Sequence, residues 1–370
     1  MSPNLFTEPL LNLFRQDVPL LDVRAPVEFA EGSFPHAQNI PILDNEQRHL
    51  IGLHYREQGQ EEAIKRGHEL VSGLDKEQKI TRWMDFFARN PRGVLYCFRG
   101  GLRSQITQSW LLDQGLKIPL VPGGYKALRK ALIDHLEEQI QKNDFLVIGG
   151  YTGSGKTKVI QELRQQLHSV LDLENIANHR GSVFGQKING QPTQIHFENM
   201  LSIEFLKLAN FANRDTQKIL IEDEGPLIGR LVLPLTLLQK KCRSPLFVLE
   251  APLEERIELI FQDYILQMSY VTSEEDFSAF FLKAFAALKK KIGGALYNEC
   301  LSLFSQAVTR QNKWGDYSLH QDWIRKLLFH YYDPLYEKGL KMNANKNLIV
   351  GRGNKQNFES FLRINFPSST

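Results

Sequence analysis

The chain has 370 residues, 42% of them apolar and 24% charged, with a formal net charge of +3. That length provides for roughly two domains with cores of their own, and a cytoplasmic protein with no membrane partner is expected: no uncharged apolar run approaches the ~18 to 20 residues of a span, and the start MSPNLFTEPLLNLF lacks a basic stretch leading into an apolar one. Three widely separated cysteines, Cys97, Cys242 and Cys300, form no C-x-x-C pair and suggest neither a disulfide framework nor a zinc site.

In the first domain, taken as residues 1–135, the run VPLLDVR at 18–24 reads as a buried strand ending in a charged turn. A second short strand at 93–96 delivers Cys97 at its C-terminal end. Residues 60–89 between them carry helical patterning, and 105–114 read as the helix after the cysteine. Strand, helix and strand in alternation indicate a parallel α/β sheet, whose ligands gather beyond the carboxyl ends of the strands.

Cys97 opens the stretch Cys97-Phe98-Arg99-Gly100-Gly101-Leu102-Arg103-Ser104. A thiol at a strand end, followed by a glycine-containing loop running into a helix, lies among inward-pointing N–H groups and beside Arg99 and Arg103. These features favour the thiolate over the thiol, and hence a nucleophile. A buried structural cysteine is the competing reading, and the Gly- and Arg-rich loop speaks against it. Cys242 and Cys300 lie in structural surroundings.

Leu21-Asp22-Val23-Arg24 with Glu28 and Phe29, and then the stretch GSFPHAQNIP at 32–41, resemble two signatures of rhodanese domains. Cys97 falls where the persulfide-carrying cysteine of those domains lies. Many sulfur-transferring rhodaneses have four residues between that cysteine and the loop arginine, whereas five separate Cys97 from Arg103, as in the related Cys-x5-Arg phosphatases. The wider loop has room for a tetrahedral oxyanion, so the resemblance implies a phosphate-like donor.

The second domain is taken as 136–370. Leu128, Leu132, Leu136 and Ile140 form one helical stripe that leads, without a Pro/Gly/Ser linker, into the apolar run FLVI at 145–148, and a helix-joined pair of domains with a substantial interface is expected. The run is followed by Gly150-Tyr151-Thr152-Gly153-Ser154-Gly155-Lys156-Thr157, which fits G-x-x-x-x-G-K-[ST]. A strand, a glycine-rich turn whose N–H groups face one anion, and a helix N-terminus form a phosphate site, with Lys156 as point charge and Thr157 as a hydroxyl for Mg2+. Residues 158–171 read as the helix after the loop.

A core strand at 218–221 ends in Glu222-Asp223-Glu224-Gly225, where Glu222 and Asp223 resemble a Walker B position; an acidic strand-end turn is the alternative. Between loop and strand, Asn178-His179-Arg180-Gly181-Ser182 offers an imidazole, a guanidinium able to grip a phosphate, and the hydroxyl of Ser182 in a tight turn, or else an ordinary connection. A third strand at 246–250, a helix at 253–268 and three helices over 274–332 follow. From residue 281 onward 14 Lys and Arg stand against 6 Asp and Glu. Such a surface suits a phosphate-rich macromolecule or is a solvated helix face. The aromatics Trp314, Tyr317, Trp323, Tyr331 and Tyr332 have helical spacing and read more readily as core than as base-stacking platforms.

A rhodanese-like domain followed by a P-loop NTPase-like parallel-sheet domain with extra C-terminal helices is the fold these stretches imply. The phosphate loop, the stretch ANHRGSVFG at 177–185, the Glu222–Glu224 cluster, the loop at Cys97 and Tyr332-Asp333-Pro334-Leu335-Tyr336 together resemble the bacterial tRNA 2-selenouridine synthase family over nearly the whole chain. Phe98 stands where that family often has Trp. The resemblance implies a transferase that acts on tRNA carrying wobble 2-thiouridine. Geranyl diphosphate first alkylates the sulfur, and selenophosphate, drawn from a selenophosphate-producing enzyme, then replaces the S-geranyl group by selenium. Gly150, Gly153, Ser154, Gly155, Lys156 and Thr157 would hold the diphosphate with Mg2+, and Cys97, Arg99, Gly100, Gly101 and Arg103 the selenium donor.

Three other readings compete. An ATP-driven, rhodanese-coupled tRNA sulfurtransferase would carry an adenylation motif beyond the phosphate loop. A Cys-x5-Arg phosphatase would normally have His where Tyr96 stands. A nonenzymatic tRNA-binding module would leave two anion-activating loops idle.

Overall fold

The computed structural model describes residues 9–166, 169–187, 189–208, 218–343 and 348–365. The chain divides into two compact units, one comprising Met1–Gln139 and Thr193–Asn210, the other Ile140–Pro192 and Phe211–Thr370.

The first unit is built on a parallel sheet of three short strands, β1 (Leu20–Asp22), β2 (Ala37–Asn39) and β3 (Val94–Tyr96), in the order β2-β1-β3. A parallel bridge from Leu95 to Leu120 extends the β3 edge. Side chains alternate between the faces of a strand. Leu95 and Cys97 therefore join a core with Trp83, Phe86, Phe87 and Trp110, while Val94 and Tyr96 join one with Phe14, Phe34, Tyr125 and Leu128. The first core is covered by the helices Gly73–Arg89 and Leu102–Asp113, and the Trp83 indole donates to the carbonyl of Ile40 at 2.9 Å. The expected helical stretch at 60–89 is two helices, Gln60–Leu70 and Gly73–Arg89, preceded by a third, Asn45–Gln58.

The stripe Leu128, Leu132, Leu136 and Ile140 is buried along helix Gly124–Lys142. The segment that returns late in the sequence, helix Gln194–Leu208, places Ile203 and Leu206 in the second core of this unit. Its Asn199 donates to the carbonyl of Ser33 at 2.9 Å and to the Tyr125 hydroxyl at 3.2 Å, and accepts from Arg129 at 2.7 Å.

The second unit contains a five-stranded parallel sheet built from β4 (Phe145–Gly150), β5 (Val170–Leu171), β6 (Ile219–Glu222), β9 (Leu246–Leu249) and β10 (Ile349–Gly353) in the order β10-β9-β4-β6-β5, with a short antiparallel pair, β7 (Leu227–Ile228) and β8 (Leu231–Val232), beside it in sequence. The central strand β4 (Phe145–Gly150) is buried throughout, the pattern of a parallel strand covered on both faces. It pairs with β6 (Ile219–Glu222) and with β9 (Leu246–Leu249).

One element differs from the sequence expectation, and one edge strand was not anticipated. The helix after the phosphate loop is Lys156–Gln165, and Val170–Leu171 form β5 against β6, because a short apolar pair has no period of its own and its pairing partner decides. Ile349–Gly353, whose glycines weaken any strand signal, is the edge strand β10.

The helix Leu253–Ile260 continues through a π-helical turn, Phe261–Leu266. Helices Glu274–Ile292, Gly294–Trp314 and His320–Leu327 surround Phe281, Phe285, Phe304 and Trp323. Of the late aromatics, Trp323 is core and Trp314 is exposed. No helix among the described residues is long and apolar enough to cross a membrane.

Candidate functional site

In the first unit, Tyr96 ends β3 and the loop from Cys97 carries the chain into helix Leu102–Asp113. Its shape is imposed from below by Gly123-Gly124. A Cβ on Gly124, whose φ is +56°, would lie 2.2 Å from the Cys97 carbonyl oxygen and 2.6 Å from the Gly100 nitrogen. The next two amides, of Tyr125 and Lys126, donate to the carbonyls of Cys97 and Phe98 at 2.8 and 3.0 Å.

Cys97 is buried, and its Sγ lies 3.1 Å from the Ser104 Oγ. Ser104 donates its own proton to the Gly101 carbonyl at 2.9 Å, so in this arrangement the thiol is the donor to Ser104. Rotation of the hydroxyl would reverse that bond for a thiolate. Arg103 reaches Glu28 through two hydrogen bonds of 2.6 and 3.1 Å, and Arg48 meets the same carboxylate at 3.1 Å. Burial raises the Glu28 pKa, but the Arg103 hydrogen bond and charge outweigh it, and the group titrates below its ordinary range. Arg99 is exposed over the Phe98 ring.

Asp22 and Arg24 of the strand signature form a buried pair at 2.7 Å, and the Arg24 guanidinium lies 3.8 Å over the Tyr125 ring. They hold the sheet end together and leave Arg103 as the loop's aligned guanidinium. A cavity of about 1040 Å3 opens beside Cys97, and its walls belong to this unit alone.

In the second unit, the phosphate loop leaves β4 at Gly150. A side chain there would meet the Leu249 carbonyl oxygen and the Ser154 Oγ at 2.6 Å each, and φ is +153°, so glycine is required. Lys156 donates to the Gly150 carbonyl at 2.7 Å, and the Ser154 hydroxyl is buried without a hydrogen-bond partner. A buried hydroxyl of this kind, beside Lys156 and a helix N-terminus, suits an anion.

Thr157 donates to Glu174 at 3.0 Å, and the Glu174 amide donates to the Glu222 carboxylate at 2.9 Å. Asp223 accepts from Lys241 at 3.1 Å. Burial, then the neighbouring charges of Glu174 and Asp172, hold the Glu222 carboxyl well above its usual range. Burial and Glu174 push Glu224 up to about 7. Glu174 and Lys241 were not singled out from the sequence, and Glu224 only as a member of the acidic cluster. Glu174 follows a two-residue strand, and only the pairing of that strand brings it to the loop.

The stretch after the loop is tightly folded. His179 is buried and its Nδ1 accepts the Gly181 amide at 3.1 Å; burial, and then Lys187, hold its pKa below the usual value. Arg180 donates to the Asp263 carbonyl in the π-helical turn and to Gln267 at 2.8 Å. Ser182 reaches the Tyr264 hydroxyl at 3.4 Å, and Phe184 enters the aromatic core against Phe285 and Trp323. In this arrangement both terminal nitrogens of Arg180 serve chain acceptors. Among the described residues, no group of three or more His, Cys, Asp or Glu is arranged to hold a metal ion.

Two family models match this chain: a rhodanese-like domain over residues 7–131, and the tRNA 2-selenouridine synthase AAA domain over residues 143–367. A tRNA 2-selenouridine synthase of Marinobacter nauticus is 47% identical over 93% of this chain and 94% of its own length. The chain belongs to the tRNA 2-selenouridine synthase family. A synthase of that name from Sulfurovum sp. is 42% identical over 94% of this chain and 95% of its own, and one from Cupriavidus pinatubonensis is 44% identical over 95% and 96%. In this member of the tRNA 2-selenouridine synthase family, the rhodanese-like match contains the Cys97 loop and the AAA match contains the Lys156 loop.

Proposed function

We propose that the chain converts wobble 2-thiouridine of tRNA into 2-selenouridine in two steps, first prenylating the sulfur with geranyl diphosphate and then exchanging the S-geranyl group for selenium from selenophosphate. The observation that carries this reading is the presence, in one chain of this family, of two anion loops of different chemistry. One has a cysteine and an arginine aligned by Glu28; the other has Lys156 at a helix N-terminus.

In the first step the C2 sulfur attacks C1 of the geranyl group, the allylic C–O bond breaks, and diphosphate leaves with the electron pair while N3 gives up its proton. Charge grows on the diphosphate, so the loop amides and Lys156 stabilise the transition state more than the ground state. The Thr157 hydroxyl, with Glu174 beside it, is the chain's own oxygen available to a Mg2+ that would add to this stabilisation. No attacking water has to be positioned, so ATP hydrolysis is not required.

In the second step selenium adds to C2, geranylthiolate departs, and water attacks phosphorus to break the P–Se bond. No oxidant or reductant enters. Arg103, Arg99 and the loop amides hold the phosphate part of the donor beside Cys97.

Incubating the purified chain and 2-thiouridine tRNA with each co-substrate in turn, with mass spectrometry of the nucleosides, tests the reading. Geranyl diphosphate alone yields S-geranyl-2-thiouridine, and selenophosphate added afterwards yields 2-selenouridine. ATP turnover stimulated by tRNA, without prenylation, would instead support a sulfurtransferase.

A further inference from the structure

The cavity beside Cys97 is too large for a selenium donor. A tetrahedral oxyanion of five heavy atoms fills on the order of 100 to 150 Å3 at the volume share of water, whereas the cavity holds about 1040 Å3. Its size lies at the upper end for small-molecule sites, which run from about 300 to 1,000 Å3.

The lining changes character with position. Cys97 lies in the wall with Arg48, Arg99 and Arg103, while Ile51, Ile64, Ile106 and Trp110 supply apolar surface. Ile51 comes from helix Asn45–Gln58 and Ile64 from helix Gln60–Leu70. These helices pack on each other yet bury little: the first has no buried residue and the second only Ala63. Such helices draw their stability from an apolar face in contact with something. Here part of that face lines the cavity.

We propose that this cavity is the binding site of the S-prenylated nucleoside, with the ten-carbon chain against Ile51, Ile64, Ile106 and Trp110 and the nucleoside C2 turned toward the donor at Cys97. The inference rests on the two-step reading above. A 2-thiouridine nucleoside, a geranyl group and a tetrahedral donor together fill on the order of 1000 Å3. The phosphates flanking the nucleoside meet the half-exposed Arg48 at the rim, and Phe98, stacked on Tyr125 at 6.2 Å between ring centroids, offers the base a face. The apolar surface also receives geranylthiolate as it leaves, which separates the leaving group from C2 and disfavours the reverse attack.

The test is equilibrium binding of the full chain to one anticodon stem–loop RNA carrying either S-geranyl- or S-methyl-2-thiouridine. Each buried methylene is worth about fourfold in affinity, so even partial burial of the longer chain gives the S-geranyl RNA a preference of at least ~30-fold. Ile64→Asn collapses that ratio toward one and Ile64→Leu keeps it, with the thermal midpoint of each variant reporting its fold. Equal binding of the two RNAs to the unmodified chain overturns the proposal. So does a preference that survives Ile64→Asn but disappears in Lys156→Ala, which would put the chain at the phosphate loop. Because binding is read without turnover, failure of the two-step reading appears separately, as absence of S-geranyl product from geranyl diphosphate.

Discussion

Arg256 grips Asp333 through two hydrogen bonds, of 2.5 and 3.0 Å, although 77 residues separate them. The same guanidinium donates through Nε to the carbonyl of Thr152 in the phosphate loop at 2.9 Å. Asp333 belongs to the stretch Tyr332-Asp333-Pro334-Leu335-Tyr336, and Tyr336 packs on Tyr151 of the loop with ring centroids 5.1 Å apart. The late helix Asp333–Asn343 thus braces a loop encoded far upstream.

Removing the part-exposed Asp333 leaves the buried Arg256 guanidinium uncompensated, at a cost of up to about 3–5 kcal/mol, the range for a fully buried pair. Asp333→Ala should therefore lower the thermal midpoint of the second unit by roughly 10 °C and weaken its affinity for inorganic diphosphate. Calorimetry with and without diphosphate checks both. An unchanged midpoint would remove Arg256–Asp333 from the account of the loop.

Lys156→Ala and Cys97→Ala should separate the half-reactions. On the proposed two-step reading, loss of the Lys156 charge should slow prenyl transfer by about 100-fold or more, while selenium exchange on pre-geranylated RNA should persist. Cys97→Ala should show the opposite pattern. Liquid chromatography of nucleosides reads both products. Loss of both steps in a folded Cys97→Ala chain refutes the division of labour.

Glu224 gives a pH prediction. Its folded pKa, about 7, lies above the ordinary 4.5, because burial and then Glu174 penalise the charged form. Between those values the folded chain holds a proton that the unfolded chain has released, so the stability due to this group falls as pH rises from about 4.5 to about 7 and levels off above. Glu224→Gln should raise the urea midpoint at pH 8 relative to the parent and flatten the decline across that window. A parallel pair of pH curves would show that Glu224 titrates ordinarily.

Lys289, Lys290 and Lys291 are exposed at the end of helix Glu274–Ile292. If this basic stretch meets tRNA phosphates, the logarithm of affinity falls linearly with the logarithm of salt concentration, and replacing all three lysines by alanine lowers the slope by about 2 to 3. Filter binding at several salt concentrations measures it. An unchanged slope would place the RNA elsewhere.

The sequence by itself determined the Cys97 loop and the Gly150–Thr157 loop, their strands and the order of the two folds. These are local devices: contiguous glycines, a strand before and a helix after restrict the backbone whatever lies around them. Helical stripes such as Leu128-Leu132-Leu136-Ile140 were legible for the same reason. Only the tertiary structure decided which side chains meet those loops. Glu28 reaches Arg103 across 75 residues, Glu174 reaches Thr157 because a two-residue strand pairs with β6, and helix Gln194–Leu208 closes the first unit from within the sequence of the second. The cavity beside Cys97 was equally invisible, because the apolar residues that line it have the same spacing as residues that fill a core. A period in the sequence marks the face of a helix. What that face packs against is fixed only when distant segments compete for it.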